Sequence, residues 1–93
     1  MGAVAGRSDR ALAETLLRAV DHGLAGDWER AHAIAQDHEG DERANWIHAV
    51  AHRMEGDLEN ARYWYRRCRR ELREDVSAES ELREIKAMLE GGS

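Results

Sequence analysis

The chain has 93 residues, a length that accommodates one domain with a modest hydrophobic core. Phe and Pro are absent, and the charged residues, 35% of the chain, are mostly Glu and Arg, so the composition favours helices over strands. The net charge of −5 argues against bulk nucleic-acid binding. No apolar run approaches the roughly 18 residues of a membrane span, and the first residues lack the apolar core of a signal peptide. We therefore expect a cytoplasmic protein.

The apolar periodicity predicts five helices within one domain that covers residues 9–90. In chain order, the predicted units are a disordered tail (1–8), a first hairpin (9–38), a second hairpin (41–74), a capping helix (77–90) and a second disordered tail (91–93). The predicted helices cover residues 9–25, 27–37, 41–55, 57–74 and 77–90.

The two predicted hairpins are related by a sequence repeat with a constant offset of 30 residues. Seven identical residues carry it: Ala19, Val20, His22, Gly26, Asp27, Glu29 and Ala31 recur as Ala49, Val50, His52, Gly56, Asp57, Glu59 and Ala61. In each unit Gly is suited to end a helix and the following Asp to begin the next one. We expect Gly56 to end helix three in a left-handed or otherwise strained conformation.

The fifth predicted helix begins after Ser77, a suitable N-cap, and carries Leu82, Ile85 and Leu89 on one apolar stripe. A repeat array needs such a helix to cover its last open apolar face. A connection of a few residues is expected to turn this acidic helix back, antiparallel, beside helix four.

The segment Gly56-Asp57-Leu58-Glu59-Asn60-Ala61, with Tyr65 and Cys68 after it, resembles the second helix of a tetratricopeptide repeat, and residues 26–35 are a weaker copy. The period is shorter than that family's 34 residues, and the family's Pro is missing. Residues 46–67 also resemble a segment of small bacterial proteins to which no activity is assigned. The resemblance to tetratricopeptide repeats implies a right-handed array of helical hairpins.

In tetratricopeptide arrays the first helix of each hairpin lines an inner groove that binds a partner. By that resemblance, the residues facing a partner are Arg43, Trp46, Val50, Arg53 and Met54, together with Leu16, Val20 and Leu24 from the first unit. Apolar side chains beside arginines suit a short helix or an acidic peptide, although Trp46 fits a core position equally well. The favoured function is thus a module that binds a protein, a peptide or a second copy of itself.

Five histidines in so short a chain suggest an alternative, a metal, heme or small-ligand site. His48 and His52 are four residues apart and share a helix face, and His32 is a further candidate. The zinc-protease motif is absent because Ala49 follows His48 where that motif has Glu. Since His22 and His52 are equivalent in the repeat, a packing role is favoured for both, and no cofactor is expected.

A second alternative is RNA or anion binding by arginines of helix four. If helix four continues to residue 74, it places Arg62, Arg66, Arg69 and Arg73 in one stripe, with Tyr63 exposed among other arginines. Pairing of the stripe with acids of its own helix and of helix five is the favoured interpretation, which makes nucleic acid an unlikely partner.

Catalysis has little support in the sequence. Cys68 falls on the apolar stripe of helix four, and a buried thiol is inert. No phosphate loop, nucleophile elbow or paired-carboxylate motif is present, so the chain is not expected to be an enzyme.

Overall fold

The computed structural model describes residues 2–91, with side chains from residue 9 onward, and confirms the all-helical class. The described residues form five helices and no strand: α1 (Gly2–Leu24), α2 (Trp28–Gln36), α3 (Glu42–Glu55), α4 (Leu58–Arg67) and α5 (Ala78–Leu89). None of these helices is both long and apolar enough to cross a membrane.

The first helix is longer than its sequence pattern indicated. α1 begins at Gly2, whereas a disordered tail was expected over 1–8. Ala3 and Ala5 have high helix propensity and no Pro interrupts the segment, so the backbone can continue the helix toward the terminus. The part of the second tail beyond Gly91 lies outside the described residues.

The repeat is visible in the turns inside the two hairpins. Gly26 and Gly56 have φ angles of 89° and 94°, which confirms the left-handed conformation expected at Gly56. The N–H groups of Asp27 and Asp57 donate to the carbonyl five residues earlier, at 2.8 and 2.9 Å. The Asp27 and Asp57 carboxylates then accept from the N–H three residues later, at 3.1 and 3.2 Å. Each turn therefore closes one helix and caps the next.

The fourth helix ends seven residues earlier than predicted, at Arg67 instead of residue 74. The N–H of Arg70 donates to the Tyr65 carbonyl at 2.8 Å, the hydrogen bond that also closes the hairpin turns. Here the left-handed position is held by Arg69, with φ 63°, so no Gly marks this end in the sequence. Residues 68–77 consequently form an irregular connection, and the predicted four-arginine stripe does not exist on α4.

The fifth helix packs against α1 and α3, and the expected antiparallel pairing beside α4 is wrong. Its predicted apolar stripe is confirmed, since Leu82, Ile85 and Leu89 are buried. Ser77 caps it by accepting from the Ser80 N–H at 3.0 Å. Because residues 68–77 are not helical, they carry the chain across the molecule, and α5 lies over the first helix of both hairpins.

Candidate functional site

The face formed by α1 and α3, here called the α1/α3 groove, is where the partner-facing residues were predicted. Leu16, Val20 and Val50 on this face have no exposed surface. They belong to the core that α5 helps to enclose, so the prediction that they face a partner is wrong for the chain in this state. The groove is filled by the chain's own fifth helix.

A buried carboxylate joins α5 to the groove. Glu81 is 1% exposed, and three side chains donate to it: Trp46 Nε1 to Oε2 at 2.7 Å, Tyr65 Oη to Oε1 at 2.7 Å and Arg53 Nη1 to Oε1 at 2.9 Å. Arg53 also donates to the Val76 carbonyl just before α5. Trp46 and Arg53 were both predicted to line the groove, and both contact a helix there. That helix is α5 of the same chain.

Low solvent exposure makes this network electrostatically strong. The side chains of Arg53 and Glu81 are 13% and 1% exposed, so water screens their attraction poorly. Burial, followed by the hydrogen bond to Glu81, raises the pKa of Tyr65 above its ordinary value, which keeps the phenol protonated and donating. Trp46 is covered on its ring face by the guanidinium of Arg70, 3.4 Å from the ring centroid.

Equivalent positions of the two repeats hold α5. Gly23 and Arg53 are related by the 30-residue offset, and both lie against α5. A Cβ atom at residue 23 would approach Leu82 Cδ1 to 2.9 Å, so Gly there admits the Leu82 side chain. On the second repeat, Arg53 instead pairs with Glu81. At Gly23 the groove therefore has room for the apolar side chain of Leu82, and at Arg53 it provides a cation that pairs with the carboxylate of Glu81.

Sequence reasoning missed Glu81. The available signal was its position, because Glu81 lies four residues before Ile85 and eight before Leu89, on the apolar stripe of α5. An acid on such a stripe needs a buried partner.

The remaining predicted groove residues are used within the chain or lie at its edge. Arg43 pairs with Asp9 at 2.8 Å and with Asp41 at 2.9 Å. Met54 and Leu24 are partly buried against the core. Tyr63 lies elsewhere, on α4, with 44% of its surface exposed. These four residues and the buried ones therefore do not form one open surface.

The three histidines named as metal candidates come together. His32 on α2 lies 4.4 Å from His48 and 4.8 Å from His52, and His48 lies 5.0 Å from His52, measured between ring centroids. We call these residues the histidine cluster. One ring nitrogen from each lies within 4.8 Å of the others. His22 is absent from this group, so the two histidines of the repeat are not equivalent in their surroundings.

His48 is the buried member of the histidine cluster. Its ring stacks on Trp64 at 3.8 Å and is 3% exposed, and Nδ1 has no hydrogen-bond partner among the described residues. Burial, followed by the neighbouring His32 and His52, lowers the pKa of His48 to about 3. The pKa of His32 is also lowered, mainly by burial. His52 Nδ1 lies 2.9 Å from Glu55 Oε1.

The helix-four arginines are spread over α4 and the irregular connection. Arg62 pairs with Glu74 at 3.5 Å, Arg69 with Glu42 at 3.7 Å and Arg73 with Glu84 at 3.1 Å. The partners in these three pairs lie on α3, on α5 and in the connection. Three of the four arginines thus form ion pairs with acidic residues of the chain itself.

Cys68 is buried, as the sequence predicts, with 4% of its surface exposed. Burial raises the pKa of its thiol to about 11. The thiol is therefore protonated at neutral pH and a poor nucleophile.

No protein-family model, curated protein or solved structure matches the chain.

Proposed function

We propose that this chain is a small tetratricopeptide-like interaction module, whose α1/α3 groove binds an amphipathic helix with an acidic residue on its apolar face. The resident occupant is α5, and a helix of the same pattern from a partner protein competes with it. The recognised pattern is Glu immediately before a Leu, with an Ile and a Leu further along the same stripe, as in Glu81, Leu82, Ile85 and Leu89.

The contacts of α5 with the two hairpins support this function. Trp46, Tyr65 and Arg53 all donate to one carboxylate that arrives on a separate helix. Apolar burial provides affinity in such helix-in-groove complexes, and a buried charge-assisted contact provides specificity. The α1/α3 groove combines both features, and residues 68–77, which link its occupant to α4, contain no helix.

Competition between α5 and an added helix can be estimated from effective concentration. A helix tethered by a short flexible linker competes at roughly millimolar effective concentration. If Glu81→Gln weakens the binding of α5 to the groove by about 3 kcal/mol, the equilibrium constant for that binding falls by about 100-fold. A free peptide with the native Glu should then exchange with the resident helix at roughly 10 μM.

The test uses the full chain carrying Glu81→Gln and a fluorescent peptide of residues 76–91. Anisotropy should show binding to this variant at tens of micromolar peptide, whereas the unmodified chain needs roughly a hundred times more. The matched control peptide carries Glu81→Gln and should bind the variant about 100-fold more weakly than the native peptide. Circular dichroism establishes that the variant chain is folded.

Two results would count against the proposal. One is a folded Glu81→Gln chain that fails to bind the native peptide at millimolar concentration, and the other is equal binding of both peptides. Light scattering at high concentration adds a further readout, since a second copy of the chain also carries the required helix. A dimer formed by the unmodified chain and dissociated by the native peptide would identify α5 of another copy as a partner.

A further inference from the structure

We infer that the histidine cluster, His32, His48 and His52, is a binding site for a borderline first-row divalent cation of the Zn²⁺ type. This function is independent of helix binding in the α1/α3 groove. The three imidazoles come from two helices: His32 lies on α2, and His48 and His52 lie one turn apart on α3. A bound ion would therefore link the second helix of the first hairpin to the first helix of the second.

The spacing of the nitrogens suits an ion after small side-chain movements. In tetrahedral coordination with Zn–N distances of about 2.0–2.1 Å, ligand nitrogens are about 3.3 Å apart. The candidate nitrogens lie within 4.8 Å of one another, so with one ring fixed the other two must move by up to about 1.5 Å. His48 is held in place by its stack on Trp64, which leaves His32 and His52 to adjust.

A second observation points to a missing ligand. Nδ1 of His48 is buried and has no hydrogen-bond partner among the described residues. A buried polar atom without a partner costs free energy and calls for an ion, a water or a function. Packing of three imidazoles alone does not satisfy this nitrogen.

Glu55 supplies the outer contact that metal-binding imidazoles usually have. Its Oε1 lies 2.9 Å from His52 Nδ1. A carboxylate on one ring nitrogen fixes the tautomer, so that the other nitrogen, Nε2, presents its lone pair to a metal. Asp57 is also near His52, but its carboxylate caps α4 through Asn60 and is already used.

The ligand set indicates the class of ion. Three neutral imidazoles suit Zn²⁺, Cu²⁺, Ni²⁺ and Co²⁺, whereas Mg²⁺ and Ca²⁺ prefer oxygen ligands. With three protein ligands, a tetrahedral ion keeps its fourth position for water or another small ligand.

The experiment titrates the full chain with Zn²⁺ by calorimetry at neutral pH, and with Co²⁺ to read the coordination geometry from visible absorption. We expect one ion per chain and no binding of Mg²⁺. His32→Gln and His52→Gln should each weaken Zn²⁺ binding by at least 100-fold. Glu55→Gln, which changes only the outer contact, should weaken it by about 10- to 100-fold.

The chain provides its own controls in His22 and His38, which lie outside the histidine cluster. His22→Gln and His38→Gln should leave the Zn²⁺ affinity and the Co²⁺ spectrum unchanged. Circular dichroism of every variant separates lost ligands from lost folding, and the partly exposed His32 can be replaced without removing a fully buried side chain. Binding that survives His32→Gln combined with His52→Gln, or that falls equally in the control variants, would overturn the inference. So would a lack of Zn²⁺ binding below millimolar concentration.

Discussion

Replacing Glu81 by Gln probes the contact that holds α5 in the α1/α3 groove. The substitution keeps the shape of the side chain but removes its charge and one of its two acceptor oxygens. Three donors converge on this carboxylate, so a Gln amide must direct its NH₂ group at one of them. We expect the network to lose its ion pair with Arg53 and to leave one donor without an acceptor.

The magnitude follows from these two losses. A hydrogen bond to a charged group contributes about 1.5–3 kcal/mol, and an unsatisfied buried donor costs about 1–3 kcal/mol. Because Arg53 is 13% exposed and retains some hydration, we take a value near the lower end, about 3 kcal/mol. For a domain of this size, that loss lowers the melting temperature by roughly 12–24 °C.

Urea unfolding followed by circular dichroism at pH 7 measures the effect. The matched control is Glu79→Gln on the same helix, since Glu79 is 64% exposed in its pair with Arg83 and should change stability by less than about 0.5 kcal/mol. Trp46→Phe removes the indole donor. Because Trp46 and Glu81 interact, the variant that combines Trp46→Phe with Glu81→Gln should be destabilised by about 1 kcal/mol less than the sum of the two single variants. If Glu81→Gln were no more destabilising than Glu79→Gln, the reasoning about a buried carboxylate would be refuted.

Further predictions concern a turn, a thiol and a titration. Gly56→Ala should destabilise by about 1 kcal/mol or more because its φ is 94°, whereas Gly40→Ala, where a Cβ meets nothing and φ is not left-handed, should be near neutral in the same urea assay. Cys68 should react slowly with a disulfide reagent in the folded chain and rapidly in urea; fast reaction of the native protein would contradict its burial. In metal-free protein, stability should fall as pH drops below 6.5, because unfolded His48 gains a proton near that pH while its folded pKa is about 3. His48 should contribute a slope approaching about 1.4 kcal/mol per pH unit, which His48→Gln removes, and an unchanged slope in that variant would exclude His48 as a source.

Local chemistry explains the parts of the fold that the sequence predicted. Gly26 and Gly56 mark their turns because a left-handed residue without Cβ is free of strain, and the Asp after each Gly caps the next helix. Ser77 and the stripe of α5 are likewise local signals. The turn after α4 carries no such signal, because Arg69 takes the left-handed conformation there. For that reason the end of α4 was predicted seven residues too late.

In the candidate sites, too, some features follow from local sequence patterns and others depend on tertiary packing. The shared face of His48 and His52 follows from helical spacing, and Trp46 and Arg53 were predicted at the groove from the resemblance to tetratricopeptide repeats. The arrival of His32 beside the other two depends on how α2 packs against α3, which no local pattern specifies. Glu81 reaches Arg53 only because residues 68–77 carry α5 over α1 and α3. Local patterns predicted the helical class, the turns at Gly26 and Gly56 and the apolar stripe of α5. Which of these elements contact one another depends on packing between segments distant in the chain, and no local pattern specifies it.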